Sequence, residues 1–188
     1  MVSTPTIRKR ALFLICFAFV AVLAALVHRQ LKMTSNDFVS SAKPNVADDM
    51  SRMNATAVHQ IWNIPSNESD AQTTLRRLLE QARANRLHIS IAGARHSMGG
   101  QTIVSDGIQI NMLPLKSMML DEQTDVLHID TGAKWADVIP YLARHGRSIG
   151  VMQSDNNFTV GGSLSVNCHG WQYGRPPIAS TVESIHLT

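Results

Sequence analysis

Ile91-Ala92-Gly93-Ala94-Arg95-His96-Ser97-Met98-Gly99-Gly100-Gln101 is the stretch that decides how this chain is read. An apolar strand, residues 88–92, runs straight into a loop with three glycines. Backbone N–H groups in such a turn can receive a phosphate where glycine lets the main chain come close. By itself the pattern is a weak phosphate signal. It lacks the order GxGxxG and opens no long helix, so a Rossmann reading has little support, and no Gly-Lys-Ser/Thr occurs that would make a Walker loop.

Working outward, residues 58–64 have strand character, and Pro65-Ser66-Asn67 offers turn and N-cap chemistry for a following helix. Leu75, Leu78, Leu79 and Ala82 then recur at helical spacing, which predicts a helix over about residues 70–86. Strands are expected at 108–112, 117–120 and 126–131, with the polar turn 121–125 between the last two. Trp135, Val138, Ile139 and Leu142 mark a second amphipathic helix that Gly146 would end. Pro140 sits awkwardly within it, because proline costs about 3 kcal/mol in a helix interior. A last strand is expected at 182–187. Strands mixed with two helices, without strict βα alternation, indicate an α+β domain rather than a doubly wound sheet.

The chain of 188 residues is long enough for one domain plus an extension. Its formal charge of +3 hints at a polyanion partner, but six of the Lys/Arg lie in residues 1–43 with one acid, Asp37. The remainder carries eleven basic and thirteen acidic side chains and no basic stripe, which argues against nucleic acid as a partner. Residues 11–27 form a run of seventeen uncharged residues preceded by Arg8, Lys9 and Arg10. At roughly 1.5 Å per residue a helix of that length just reaches across a bilayer core. An N-terminal hydrophobic helix is expected there, as a membrane anchor or as a signal peptide cleaved after Ala24, with a buried soluble helix as the weaker alternative. Either leading reading sends the rest of the chain across a membrane, so the domain is expected on the non-cytoplasmic side or secreted. The segments are thus 1–32 anchor or signal, 33–55 tether, and 56–188 the folded domain.

A second glycine-bearing segment makes the first one specific. Thr159-Val160-Gly161-Gly162-Ser163-Leu164-Ser165 resembles the Thr-Val-Gly-Gly-x-Leu-Ser element of the FAD-binding (PCMH-type) domain shared by vanillyl-alcohol oxidase and p-cresol methylhydroxylase. The stretch around His96 resembles the Arg-Gly-x-Gly-His-Ser loop of that family, and looks closest to its cytokinin dehydrogenase and sugar-lactone or alditol oxidase branches. The resemblance covers about residues 56–188 and takes in Asp130-Thr131-Gly132-Ala133 and the helix at Trp135. It implies two small α/β subdomains holding FAD. Ile91, Gly93, Ala94, Arg95, His96, Ser97 and Gln101 would line the cofactor from the first segment. Ser154, Asp155, Thr159, Gly161, Gly162, Ser165 and His169 would approach from the second. It further implies a covalent bond from His96 to the flavin 8α carbon.

Two departures from the family pattern matter. Arg95 stands where a small residue is usual, which questions the close backbone approach there and offers a guanidinium to a phosphate oxygen instead. Asn157-Phe158 stands where doubly linked relatives have Cys-Pro, so a cysteinyl second link is not expected.

The other histidines are scattered, without HxH or HxxxH spacing, and no metal site is expected. Trp135 is expected in the core, and Trp171 and Tyr173, which flank the second segment, are expected to pack beside it, with stacking near the flavin as the alternative. Asn54-Ala55-Thr56 and Asn67-Glu68-Ser69 match a glycosylation sequon, a pattern frequent by chance. In the family, a separate substrate domain covers the flavin and supplies the general base, so no catalytic residue is assigned. The expected function is the FAD-binding part of an oxidoreductase acting on an alcohol- or amine-type substrate. The alternative is a truncated, non-catalytic remnant that binds FAD weakly or serves as a membrane-tethered binding module.

Overall fold

The computed structural model describes residues 20–25, 27 and 45–187. They divide into two units, Met1–Asp37 and Phe38–Thr188. In the first unit, residues 20–25 and 27 are helical, and the rest of the expected hydrophobic helix lies outside the described residues. Among the described residues, no helix is long and apolar enough to cross a membrane.

The second unit begins with two short antiparallel strands, β1 (Val46–Ala47) and β2 (Thr56–Ala57). A three-stranded parallel sheet follows, built from β3 (Gln60–Asn63), β4 (Ile89–Ala92) and β5 (Ile108–Asn111) in the order β3-β5-β4. Helix α1 (Glu68–Ala84) makes the crossover from β3 to β4. It starts where the sequence provides a cap: the Asn67 side chain accepts from the Asp70 N–H at 2.8 Å, and Glu68 and Asp70 sit in the positive first turn.

The central strand β5 is buried along its whole length, and its period of two sorts the faces. Ile108 and Ile110 meet Ala71, Leu78 and Ala82 of α1 in one hydrophobic core with Ile64 and Leu115. Full burial of each such Leu or Ile contributes about 1.5–3 kcal/mol. Gln109 and Asn111 point to the opposite, polar face, where the Gln109 amide donates to the Thr102 carbonyl at 2.7 Å. A glycine loop can therefore cover that face without an apolar layer.

The hairpin β6 (Met118–Asp121) and β7 (Val126–Ile129) packs with α2 (Trp135–Arg144) and α3 (Val160–Ser165) into a second core around Trp135, Val138, Leu142, Val151 and Cys168. Pro140 is accommodated inside α2 because it lies on the exposed side. There the Ala136 carbonyl, deprived of its helical donor, can be met by water. One parallel βαβ unit with antiparallel ribbons beside it is the α+β architecture expected, with two cores in one unit.

Three expectations need correction. Residues 182–187 form no strand; a short 3₁₀ turn, Ile178–Thr181, precedes an irregular segment that pairs with no described strand. The expected strand 58–64 is shorter, β3 alone at Gln60–Asn63, because the chain leaves β2 at Ala57 and turns before it enters the sheet. The expected tether is folded from residue 45 on, with Ala47 and Asp49 fully buried, because polar side chains there find partners in the glycine loop.

Candidate cofactor site

The loop after β4 leaves the carboxyl end of a parallel sheet, the place where ligands of such sheets gather. Arg95 has φ +60 and Gly100 φ +73, and such left-handed residues turn successive amides toward one side. No described residue accepts a hydrogen bond from the amides of Ala94, His96, Ser97 or Met98. Farther on, the Gly99 N–H donates to Gln101 Oε1 at 3.0 Å, so Gln101 shapes the turn from within.

Arg95 does not present its guanidinium to this side. It is buried, its Nη1 donates toward the Asp48 carbonyl at 3.5 Å, and its own carbonyl accepts from Met50 N–H at 3.1 Å. Burial lowers its pKa, while attraction to Asp48 acts the other way. The departure from a small residue therefore serves the back of the loop.

The second segment reaches the first through Thr159. A Cβ added at Gly93 would overlap Thr159 Oγ1, so this glycine is needed for the close approach of the two segments. Thr159 is itself buried and caps α3, accepting from Gly162 N–H at 3.2 Å. The remaining first amides of α3 are also committed: Val160 N–H donates to Ala133 O at 2.8 Å and Gly161 N–H to Thr131 O at 2.9 Å. Gly161 exists for packing, since a Cβ there would lie 2.7 Å from the Thr131 Cβ.

In return, carbonyls of the second segment cap α2, whose N-cap Lys134 makes no side-chain cap. Phe158 O accepts from Trp135 N–H at 3.2 Å and Asn156 O from Ala136 N–H at 2.7 Å, which satisfies two orphan donors of that helix. Beneath them, Trp135 Nε1 donates to Ser163 Oγ at 2.9 Å, and Ser163 Oγ donates to Gln153 Oε1 at 2.7 Å. Trp135 is therefore in the core, as expected. Ser163 and Gln153 were not foreseen as its polar anchors, because a lone serine between glycines carries no signal of its depth.

His96 lies where the segments meet. Its ring is 4.1 Å from the Phe158 ring, and its Nε2 is buried without a hydrogen-bond partner among the described residues. Burial lowers its pKa, and the negative charge of Asp155 partly offsets this, so the imidazole is neutral at neutral pH. Asp155 accepts from Asn157 N–H at 2.8 Å, which fixes the turn carrying that charge. Ile91, Ser154, Gly162, Ser165 and His169 lie exposed nearby in sequence, with Ile91 flanking the loop at the end of β4. Ser165 donates its hydroxyl to Gly161 O at 2.8 Å. Trp171 and Tyr173 are 85% and 102% exposed, which overturns the expectation that they pack here.

An open row of amides, a glycine-mediated contact between two loops, and a neutral histidine with an orphaned ring nitrogen suit a cofactor that carries both phosphate and a ring system. Residues 65–188 match the family model described as the FAD binding domain, and the chain belongs to that family. Among curated proteins it is 31% identical over 121 residues to cytokinin dehydrogenase 2 of Arabidopsis thaliana, covering 63% of this chain and 23% of the relative. An uncharacterized oxidoreductase, ORF5 of the fasciation locus of Rhodococcoides fascians, is 28% identical over 107 residues, covering 57% of this chain and 23% of the relative. Of solved structures, the cholesterol oxidase from B. sterolicum shares the fold with TM-score 0.53 at 21% identity, covering 68% of this chain and 24% of that one. The chain thus spans about a quarter of the length of these proteins.

Proposed function

We propose that this chain is the FAD-binding part of a flavin-dependent oxidoreductase acting on an alcohol- or amine-type C–H bond, and that His96 bonds covalently to the flavin. The observation that carries the reading is the set of open amides of Ala94, His96, Ser97 and Met98 beside the Gly93 and Thr159 contact. When bound, FAD supplies the hydride acceptor, while protein groups set its orientation. The amides of Ala94, His96, Ser97 and Met98 would hold the pyrophosphate, with Gln101 keeping the turn in shape. Gly93, Thr159 and Gly161 would hold the two segments together beside the groove that the cofactor enters, and Gly162 would keep a side chain out of it.

Neutral His96 keeps a nitrogen lone pair, which is the condition for bonding to the flavin 8α carbon. Asp155 would stabilise positive charge that gathers on that ring. Ser154, Ser165 and His169, on the exposed side of the second segment, are further contacts in this reading, and a separate substrate domain would supply the general base. The apolar run 11–27 with its basic flank supports membrane anchoring or export, which fractionation of cells making the full chain would test.

The test of the cofactor reading is direct. The purified full chain is expected to be yellow, and after acid denaturation flavin fluorescence is expected to stay with the protein band. His96→Ala should release that flavin on denaturation. A colourless wild-type protein that takes up no added FAD would overturn the reading, and flavin released from wild type by acid would overturn the covalent bond alone.

A further inference from the structure

The family match begins at residue 65, yet the cofactor loop is held from behind by residues that precede it. Asp49 is fully buried and its carboxylate is saturated with donors. Oδ1 accepts from Ser51 N–H at 2.9 Å and from Ser51 Oγ at 2.6 Å. Oδ2 accepts from Asn54 Nδ2 at 2.8 Å and, across fifty-one positions of sequence, from Gly100 N–H at 2.9 Å. Asn54 Nδ2 also donates to Met98 O at 3.1 Å, and Met50 N–H to Arg95 O at 3.1 Å. The segment therefore grips the loop at Arg95, Met98 and Gly100, on both sides of the open amides.

We infer that residues 48–54 are a clamp that pre-forms the cofactor loop, with Asp49 as its positioning residue and Asn54 as the link to Met98. This rests on the FAD reading of the loop and adds a determinant outside the matched domain. A loop with two left-handed residues and a row of unpaired amides has little internal reason to hold one shape. Each amide turned toward the ligand is one that cannot stabilise the loop itself. The carboxylate supplies what is missing by fixing Gly100 N–H, and the Asn54 amide fixes the carbonyl of Met98. Burial alone would raise the Asp49 carboxyl, but the hydrogen bonds from Ser51, Gly100 and Asn54 outweigh it and hold the group below the usual carboxylate range. The clamp is thus charged at neutral pH. Because cofactor binding to a loop that is already shaped costs less ordering entropy, the clamp raises FAD affinity without touching FAD.

The same contacts decide one of the sequons. The Asn54 nitrogen is committed to Asp49, Ser51 and Met98, so a glycan on it would dismantle the clamp.

The experiment uses the full chain, freed of flavin or carrying His96→Ala so that binding is reversible. FAD affinity is read by flavin fluorescence, and hydrogen exchange is followed at the hydrogen-bonded Gly99 and Gly100 amides and, as a control, over α1. In that background, Asn54→Ala is expected to weaken FAD binding about tenfold, the size of one well-placed hydrogen bond to a charged group. It should also speed exchange at the Gly99 and Gly100 amides while α1 is unchanged. Asp49→Asn is expected to do more of the same, and Asn54→Ala decides the matter if that variant does not fold. Reference protein that binds FAD, with Asn54→Ala matching it in both affinity and loop exchange, would overturn the clamp and leave the FAD reading intact. Reference protein that takes up no FAD overturns the FAD reading and the clamp's part in it together.

Discussion

The two glycine-bearing segments look alike as text and behave oppositely in the fold. In residues 93–101 the amides of Ala94, His96, Ser97 and Met98 are left open, and the loop is held by polar groups behind it. In residues 159–165 the corresponding amides are satisfied internally, and the segment is fastened to an apolar core through Trp135 and Ser163. Gly93 in the first and Gly161 in the second both serve close packing of protein on protein, whereas Gly100 at φ +73 serves the turn of the open loop. The lesson is that a glycine pair after Thr159 is a joint that brings one wall of the groove to the other.

The largest expected effect breaks that joint. Gly93→Ala forces a methyl onto Thr159 Oγ1 between two buried walls and is expected to cost about 1–3 kcal/mol, the range for overpacking, and to abolish FAD uptake. Adding Thr159→Ala removes the colliding oxygen, so thermal unfolding of the double variant should show less than the sum of the two single losses. Next, Trp135→Phe leaves Ser163 without its indole donor in a buried place and is expected to destabilise by about 1–3 kcal/mol in denaturant titration. The second segment should loosen while exchange at the Gly99 and Gly100 amides is unchanged, a clean separation of the two regions.

Gly162→Ala reverses the pattern. The position is helical and exposed, with the new Cβ 3.0 Å from Thr159 Oγ1, so alanine's helix preference of about 1 kcal/mol and this crowding roughly cancel. Stability by thermal melt should barely move, whereas FAD affinity should fall if this face receives the cofactor. An unchanged affinity would remove Gly162 from the groove.

The smallest effect is a pH dependence. His96 has its pKa lowered in the folded protein from 6.5, so the unfolded chain binds the proton more readily. Stability from this group is therefore complete above about 6.5 and declines as pH falls from there toward the folded value. Melting curves of flavin-free protein between pH 5 and 8 should show this slope, reduced in His96→Gln. An identical slope in the variant would assign the dependence to other groups.

Several features were legible from local chemistry. Asn67 after Pro65 marked the start of α1, the spacing of Leu75, Leu78 and Ala82 marked its buried side, although Leu79 of the same stripe stands exposed, and the strand expected at 108–112 is β5. These follow from periodicity and capping, which are properties of neighbours in sequence. The residues around His96 and Thr159 were legible only as a pair of motifs resembling one family.

What the sequence by itself determined about this protein is its α+β class, its principal helices and strands, and its membership of an FAD-binding family. Tertiary structure alone decided that Arg95 turns inward, that Trp171 and Tyr173 stand in solvent, and that Asp49 and Asn54 belong to the cofactor loop. The physical reason is range. Caps and periodic faces are written within a few residues, whereas a buried carboxylate is tolerable only if donors arrive from elsewhere in the chain, and the Gly100 amide that meets Asp49 comes from the far side of two strands, a helix and a third strand.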